Sequence, residues 1–276
     1  LLMKLSWWKN ILNSLITDPA PNVPVLRLLK GNITKKDKIL NKLLLLVNNY
    51  ERLSLCTNKN DMEDSYLKCI VTRNDIILEI GTGHGILIPY ICKNAKQVYS
   101  IESDENLYNS AKSNFDYSNL ILEHGDGFNS GHNFSIFISN LPYSKSRFAV
   151  EWLLQKNFSR AIIMVQIEFA EKLQSKEEHK SISVLANYGF RIKSLMNVKK
   201  SNFMPVPKVD STVILLEKKK VVSKELISTV NKIFSYRRKT LQNILKQFDL
   251  NTTSKKRLDE LSGDEIIKIA QKIVRS

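Results

Sequence analysis

Leu5, Trp8, Ile11, Leu12 and Leu15 recur at the spacing of one helix face, and the run Asp18-Pro19-Ala20-Pro21-Asn22-Val23-Pro24 then stops that helix, because proline removes the backbone donor the next turn needs. Residues 36–72 keep a mostly helical pattern with a polar interruption from Ser54 to Asp64. From Asp75 the period changes. Short apolar runs predict strands over Ile76–Ile80, Val98–Glu102, Leu120–Leu122, Phe134–Ser139 and Ala161–Val165, alternating with helices over Ile86–Lys93, Asn106–Asn114, Arg147–Leu154 and Phe169–Leu173. Continuous apolar strands between helices are the pattern of a parallel sheet covered on both faces. Val213–Leu216 predicts one more strand, antiparallel at the far end of the sheet. Beyond Lys220 strand patterning stops, and Lys224–Phe234, Lys239–Gln247 and Asp264–Val274 carry helical periodicity. The expected organisation is a helical appendage over 1–45, an α/β domain over 46–220 and a small helical domain over 221–276.

Composition adds a partner class. The 276 residues, 43% of them hydrophobic, can fill a sizeable core. Forty-two Lys and Arg against 27 Asp and Glu leave a net charge of +15, which favours a polyanion through counterion release without saying which one. Part of that charge is clustered late in the chain, in Lys218-Lys219-Lys220, Arg237-Arg238-Lys239 and Lys255-Lys256-Arg257. Cys56, Cys69 and Cys92 are odd in number and show no CxxC spacing, so a disulfide framework is not expected and a reducing cytoplasm is. No apolar run reaches the roughly 18 residues of a membrane span, and no export segment is read at the N-terminus. A protein with no membrane partner, acting as a monomer, is the expectation.

The chemistry concentrates at strand ends. Glu79-Ile80-Gly81-Thr82-Gly83-His84-Gly85 lies where the first strand becomes a helix, and Gly81, Gly83 and Gly85 let the backbone turn tightly and approach a ligand. The next strand ends in Glu102, a carboxylate placed to accept from two ribose hydroxyls. The third runs into Gly125-Asp126-Gly127-Phe128, with Asp126 offered to an adenine amine and Phe128 either beside it or in the core. The GxGxG spacing favours S-adenosylmethionine over a dinucleotide, which would need a pyrophosphate seat on a helix N-terminus. The fourth strand delivers Asn140-Leu141-Pro142-Tyr143. The exocyclic amine of an aromatic base is a poor nucleophile, because its lone pair is delocalised into the ring. The Asn140 side-chain oxygen and the Leu141 carbonyl would accept its two hydrogens and aim the lone pair at a sulfonium methyl, Pro142 would fix that carbonyl, and Tyr143 would stack on a flipped-out adenine. Histidines 84, 124, 132 and 179 have neither metal-ligand spacing nor a nucleophile partner.

These residues resemble the ribosomal RNA small-subunit adenine N6-dimethyltransferase family. The resemblance spans about residues 73–265 and includes Met164-Val165-Gln166-Ile167-Glu168 with Ala170 and Leu173, Phe203-Met204-Pro205-Val206-Pro207-Lys208-Val209-Asp210-Ser211, and Phe234 followed by Tyr236-Arg237-Arg238-Lys239-Thr240-Leu241. It implies a Rossmann-like S-adenosylmethionine-dependent methyltransferase sheet with a small α-helical C-terminal domain. It also implies successive dimethylation of adenines in the rRNA of the small subunit or its precursor, as part of ribosome biogenesis. Gly81, Glu102, Asp126 and Asn140 become cofactor contacts, Asn140 and Tyr143 serve the target base, Phe203–Ser211 shapes the substrate side, and Arg237, Arg238 and Lys239 are candidate phosphate contacts. The chain departs from the family before the first strand. Leu53-Ser54-Leu55-Cys56-Thr57-Asn58 stands where a Gln-(Asn/His)-Phe-Leu stretch normally closes over the cofactor, and the segment before residue 45 is longer than the family needs. Two alternatives follow: a weak or inactive relative acting as an RNA-binding assembly or transcription factor, and a methyltransferase of 23S rRNA.

Overall fold

The computed structural model describes residues 72–85, 87–140, 142–175, 180–202 and 206–276. The expected appendage over 1–45, the divergent stretch 53–58, Leu141, His179 and residues 203–205 lie outside the described residues.

Seven strands form one sheet, β1 (Ile76–Ile80), β2 (Gln97–Glu102), β3 (Leu120–His124), β4 (Ile136–Ser139), β5 (Arg160–Gln166), β6 (Phe190–Val198) and β7 (Ser211–Lys218), in the order β3-β2-β1-β4-β5-β7-β6. The pairs β1–β2, β2–β3, β1–β4 and β4–β5 are parallel, whereas β5–β7 and β6–β7 are antiparallel. The strand order reverses between β1 and β4, which opens the crevice in which doubly wound sheets hold their ligands.

The helices are α1 (Ile88–Asn94), α2 (Glu105–Asn114), α3 (Ser146–Gln155), α4 (Ile167–Gln174), α5 (Ser181–Gly189), α6 (Lys224–Ser235), α7 (Leu241–Leu245) and α8 (Gly263–Arg275). Polar side chains start several of them: Asp104 accepts from the Leu107 N–H, Ser223 from the Leu226 N–H, and Ser262 with Glu265 makes a reciprocal capping box. One face of the sheet packs on α1 through Ile77, Val98, Ile136 and Ile138 against Ile88, Ile91 and Cys92. The other packs Leu78, Phe137 and Ile163 against α3 and α5, and the same core continues into Ile227, Val230 and Ile233 of α6 and Ile266 and Ala270 of α8. No helix among the described residues is long and apolar enough to cross a membrane.

Four expectations change. β7 is antiparallel as expected but lies one place inside the sheet edge, because β6, which the hydrophobic pattern does not predict, forms that edge. The pairing of β6 slips between Ser194 and Met196, so Phe190 and Val198, which would share a face in a regular strand, face different cores, and the bulge breaks the alternation that would have betrayed a strand. Helix α5 is likewise not predicted by the pattern. It packs against α3, α4, α6 and α8 and buries Ser181–Ala186 and Gly189, so it has no polar face to set a period. The helix expected over Lys239–Gln247 is α7 followed by a 3-10 turn over Lys246–Phe248, and Lys239 lies in the turn before it. At the N-terminal end of β4, Phe134 is not paired in the strand but stacks on Trp152 and Phe158.

One lysine serves the fold. Lys218, the last residue of β7, donates through Nζ to the carbonyls of Leu153 (2.7 Å) and Leu154 (2.8 Å) near the C-terminal end of α3, and its ammonium lies 4.9 and 4.8 Å from the Phe158 and Phe190 ring centroids. Carbonyls left open at a helix C-terminus favour such a cation. Burial pushes its pKa down to about 8 from 10.5. Between those values the unfolded chain holds a proton that the folded one has released, so folding stability gains from Lys218 as pH rises through that window. Chemical denaturation from pH 7 to 11 should show this rise, and Lys218→Met should flatten it.

Candidate active site

The four parallel strands β1 to β4 end at one edge, and each end carries a piece of the site. After β1 the chain turns through Gly81, Gly83 and Gly85 at φ values of 82°, 59° and 72°, a region side-chain-bearing residues rarely adopt. At Gly85 space is also lacking, since a Cβ there would meet the Phe115 ring at 2.2 Å.

A buried polar column underlies this loop. Ser100 Oγ donates to Glu79 Oε2 at 2.6 Å and lies 2.6 Å from Thr82 Oγ1. With the serine proton committed to the carboxylate, the threonine hydroxyl donates to serine. Glu79, Thr82 and Ser100 are each at most 5% exposed. Glu79 also acts across α1: burial, with the Glu79 charge added, pushes the Cys92 thiol up to about 12.

Glu102 joins two loops. Its Oε2 accepts the Gly83 N–H at 2.7 Å and its Oε1 the Asp104 N–H at 3.0 Å, and the residue is 6% exposed. A carboxylate has about four acceptor positions, so two backbone donors leave capacity for two ribose hydroxyls. Asp126, exposed at the end of β3, accepts the Phe128 N–H at 3.1 Å and starts a 3-10 turn over Gly127–Asn129. Gly127 is packed tightly, because a Cβ there would lie 2.8 Å from Ile80. Phe128 is core, 9% exposed, and its carbonyl accepts the Trp152 indole N–H at 2.8 Å. Positive-φ loop, buried carboxylate and exposed carboxylate form a cradle suited to a nucleoside with a short charged tail, as in S-adenosylmethionine.

At the end of β4, Ser139 Oγ donates to the Ile80 carbonyl at 2.5 Å and ties β4 to β1 across the crevice. Asn140 follows, half-buried, with no hydrogen bond from its carboxamide to another described residue. Pro142 holds φ at −54° ahead of a 3-10 turn over Tyr143–Lys145. Half-buried Tyr143 is anchored through its hydroxyl to Ser211 Oγ at the start of β7. Ser211 also pairs with Gln166 in the sheet, and the Asp210 carbonyl accepts the Ile167 N–H. The segments Met164–Glu168 and Asp210–Ser211 are thus neighbours, and the second orients the tyrosine.

The basic candidates divide. Arg237, Arg238 and Lys239 are all exposed in the turn after α6, and Lys239 lies over the Tyr236 ring at 5.0 Å. Of the three, Arg237 lines a cavity of about 560 Å3 with Arg147, Lys172, Lys180 and Phe234. Arg147 reaches it from the first turn of α3, held by Glu151, Ser181 and Asn231. Sequence reasoning does not assign roles to Ser100, Asp104 or Arg147. Asp104 has a legible signal, an acidic cap directly after a strand, whereas the other two are identified by partners distant in the chain.

A family model described as "Ribosomal RNA adenine dimethylase" matches residues 53–273. The ribosomal RNA small subunit methyltransferase A of Clostridium botulinum is 31% identical over 245 residues, covering 82% of this chain and 89% of that protein. Its counterpart in Thermotoga petrophila is 32% identical over 217 residues, covering 73% and 82%. Among solved structures, a dimethyladenosine transferase from Plasmodium falciparum has a TM-score of 0.63 at 23% identity over 74% of this chain and 92% of its own. The 23S rRNA methyltransferase ErmE has 0.56 at 20% over 74% and 93%. These two structures bear on the fold alone.

Glu102→Gln keeps the side-chain volume but weakens the acceptor for one of two backbone N–H groups. Calorimetry should show S-adenosylmethionine affinity falling at least about tenfold and stability falling by about 1–3 kcal/mol.

Proposed function

The chain belongs to the ribosomal RNA adenine dimethylase family, and from that premise we propose that it methylates N6 of adenines in small-subunit rRNA during ribosome assembly. The enzyme takes its methyl group from S-adenosylmethionine. The small-subunit assignment is supported by curated relatives that carry that name and are matched over most of their length. A non-catalytic RNA-binding role is not favoured, because the glycine loop, Glu102 and Asp126 are all present at converging strand ends.

The single observation that carries the mechanism is Asn140, at the end of β4 beside a tyrosine whose ring is already anchored. S-adenosylmethionine supplies an activated methyl on a sulfonium, which leaves as a neutral thioether. The chain's own groups do the rest. Glu102 would accept from the ribose hydroxyls of the bound cofactor while holding Gly83 and Asp104, and Asp126 would accept from its adenine amine. The Asn140 side-chain oxygen and the Leu141 carbonyl accept the two N6 hydrogens of the target adenine, which draws its lone pair out of the ring and points it along the line of displacement. Tyr143 stacks on the flipped base and favours the positive charge that grows on nitrogen. The proton released after transfer passes to solvent through those same acceptors. Arg237, Arg238 and Lys239 contact phosphates. We place the protein in the cytoplasm with the assembling subunit and treat it as a monomer.

Incubating the protein with labelled S-adenosylmethionine and undermethylated small subunits, then mapping the label, tests the substrate. Label confined to large-subunit rRNA or to DNA overturns the assignment. In the same assay Asn140→Ala should lower kcat by about 10²–10³ while RNA binding persists, and retained activity would remove the mechanism. Neutralising Arg237 and Arg238 together should weaken RNA binding and flatten its salt dependence, by about 0.7 in the logarithmic slope for each single-strand phosphate that is no longer neutralised.

A further inference from the structure

Phe148 breaks the pattern of its helix. In α3 the residues Ser146, Ala149, Val150, Trp152, Leu153 and Leu154 are buried, yet Phe148 is 52% exposed. A single exposed apolar side chain is ordinary on a protein surface, so position and support must distinguish this one.

Position comes from the strand ends. α3 begins directly after the 3-10 turn Tyr143–Lys145, so Phe148 follows Tyr143 by five residues, on the order of 8 Å of helical path. Its ring packs against Phe128 at 4.9 Å between centroids and 85° between planes, and Phe128 stands two residues after Asp126. The ring thus stands between the loops that leave β3 and β4, beside the site and not within its core. Support comes from behind. Phe128 packs edge to face with Trp152 at 5.5 Å, and the indole N–H is bonded to the Phe128 carbonyl. Two exposed cations precede Phe148 in the chain, Lys145 by three residues and Arg147 by one. Arg147 is held by Glu151, Ser181 and Asn231, while the Lys145 ammonium has no hydrogen bond to another described residue.

A half-exposed ring held on a rigid aromatic base, next to a cation, is what a nucleobase and its phosphate require. When an adenine swings out of its strand, the neighbouring base loses a stacking partner and bares one face to water. We propose that Phe148 is a second stacking platform, which takes the base next to the target adenine while that adenine lies against Tyr143, with Lys145 at the phosphate between them. This rests on the adenine-methylating reading of the site. Its consequence is that the enzyme grips two successive nucleotides of an unstacked strand, and that RNA affinity depends on a base it does not modify.

The test combines Phe148→Ala and Phe148→Trp with an rRNA fragment that is either intact or abasic at the nucleotide beside the target. Phe148→Ala should raise KM for the intact fragment about tenfold, with S-adenosylmethionine affinity by calorimetry unchanged, and Phe148→Trp should restore most of the loss. The abasic fragment should cost the wild type the same factor and cost Phe148→Ala nothing further. If the two losses multiply, or if Phe148→Ala leaves KM unchanged, the base does not stack there and the inference is overturned. Loss of cofactor affinity in Phe148→Ala overturns it as well, by assigning the ring to support of the Asp126 loop. Failure of the adenine-methylating reading is seen separately, because the wild type would then label neither fragment, and both proposals would fall together.

Discussion

The glycine loop, Glu102, Asp126 and Asn140 each hang from the carboxyl end of a parallel strand, and their arrangement depends on those ends being held side by side. Backbone pairing aligns β1 with β2 and β4, but the loops beyond the last ladder bond need holders of their own. Glu102 holds Gly83 and Asp104, Ser139 holds the Ile80 carbonyl, and the Glu79–Ser100–Thr82 column sits beneath. In an interior of low polarity such bonds are strong when made and costly when missing. The loop that must stay open for a ligand is therefore fixed from below, not from above.

The end of β4 is built differently. Asn140 is left without a partner among the described residues, while Tyr143 next to it is anchored to Ser211, 68 residues away. A free amide can turn its acceptor toward a base, whereas a stacking surface works best when its plane is set in advance, because ordering it on binding would cost entropy. The aromatic group behind it, Phe128 with Trp152, Phe134 and Phe137, makes the adjoining wall stiff. Beyond this wall α5 joins the sheet to the C-terminal helices, so the turn with Arg237 to Lys239 rests on the same core as the strand ends. The exposed basic turn and the strand ends that carry Asn140 and Tyr143 are thus held on one core.

Much of this was legible in the chain. Ile76–Ile80 is apolar but for Glu79 and lies between Asp75 and Gly81, so its ends were marked by chemistry and the strand lies where the pattern put it. The glycine spacing, Glu102, Asp126 and Asn140 could each be set at a strand end by counting, since a strand and the loop after it are local. The bulged β6 and the buried α5 were not legible, one because an inserted residue reversed its alternation and the other because burial on all sides erased its period. The 3-10 turn after α7 and the placement of Lys239 before it depended on packing, not on spacing.

The sequence by itself determined the alternation of β1 to β5 with the helices between them, the residue types at each turn and the membership of a family, because these depend on short-range periodicity and on motifs only a few residues long. Tertiary structure alone decided that β7 slips inside β6, that Glu102 supports the loop it also serves, that Ser211 orients Tyr143, and that Phe148 faces solvent beside the site. Each of these joins residues through contacts, bonds or burial that no local spacing encodes, and so exists only once the chain has folded around its two cores.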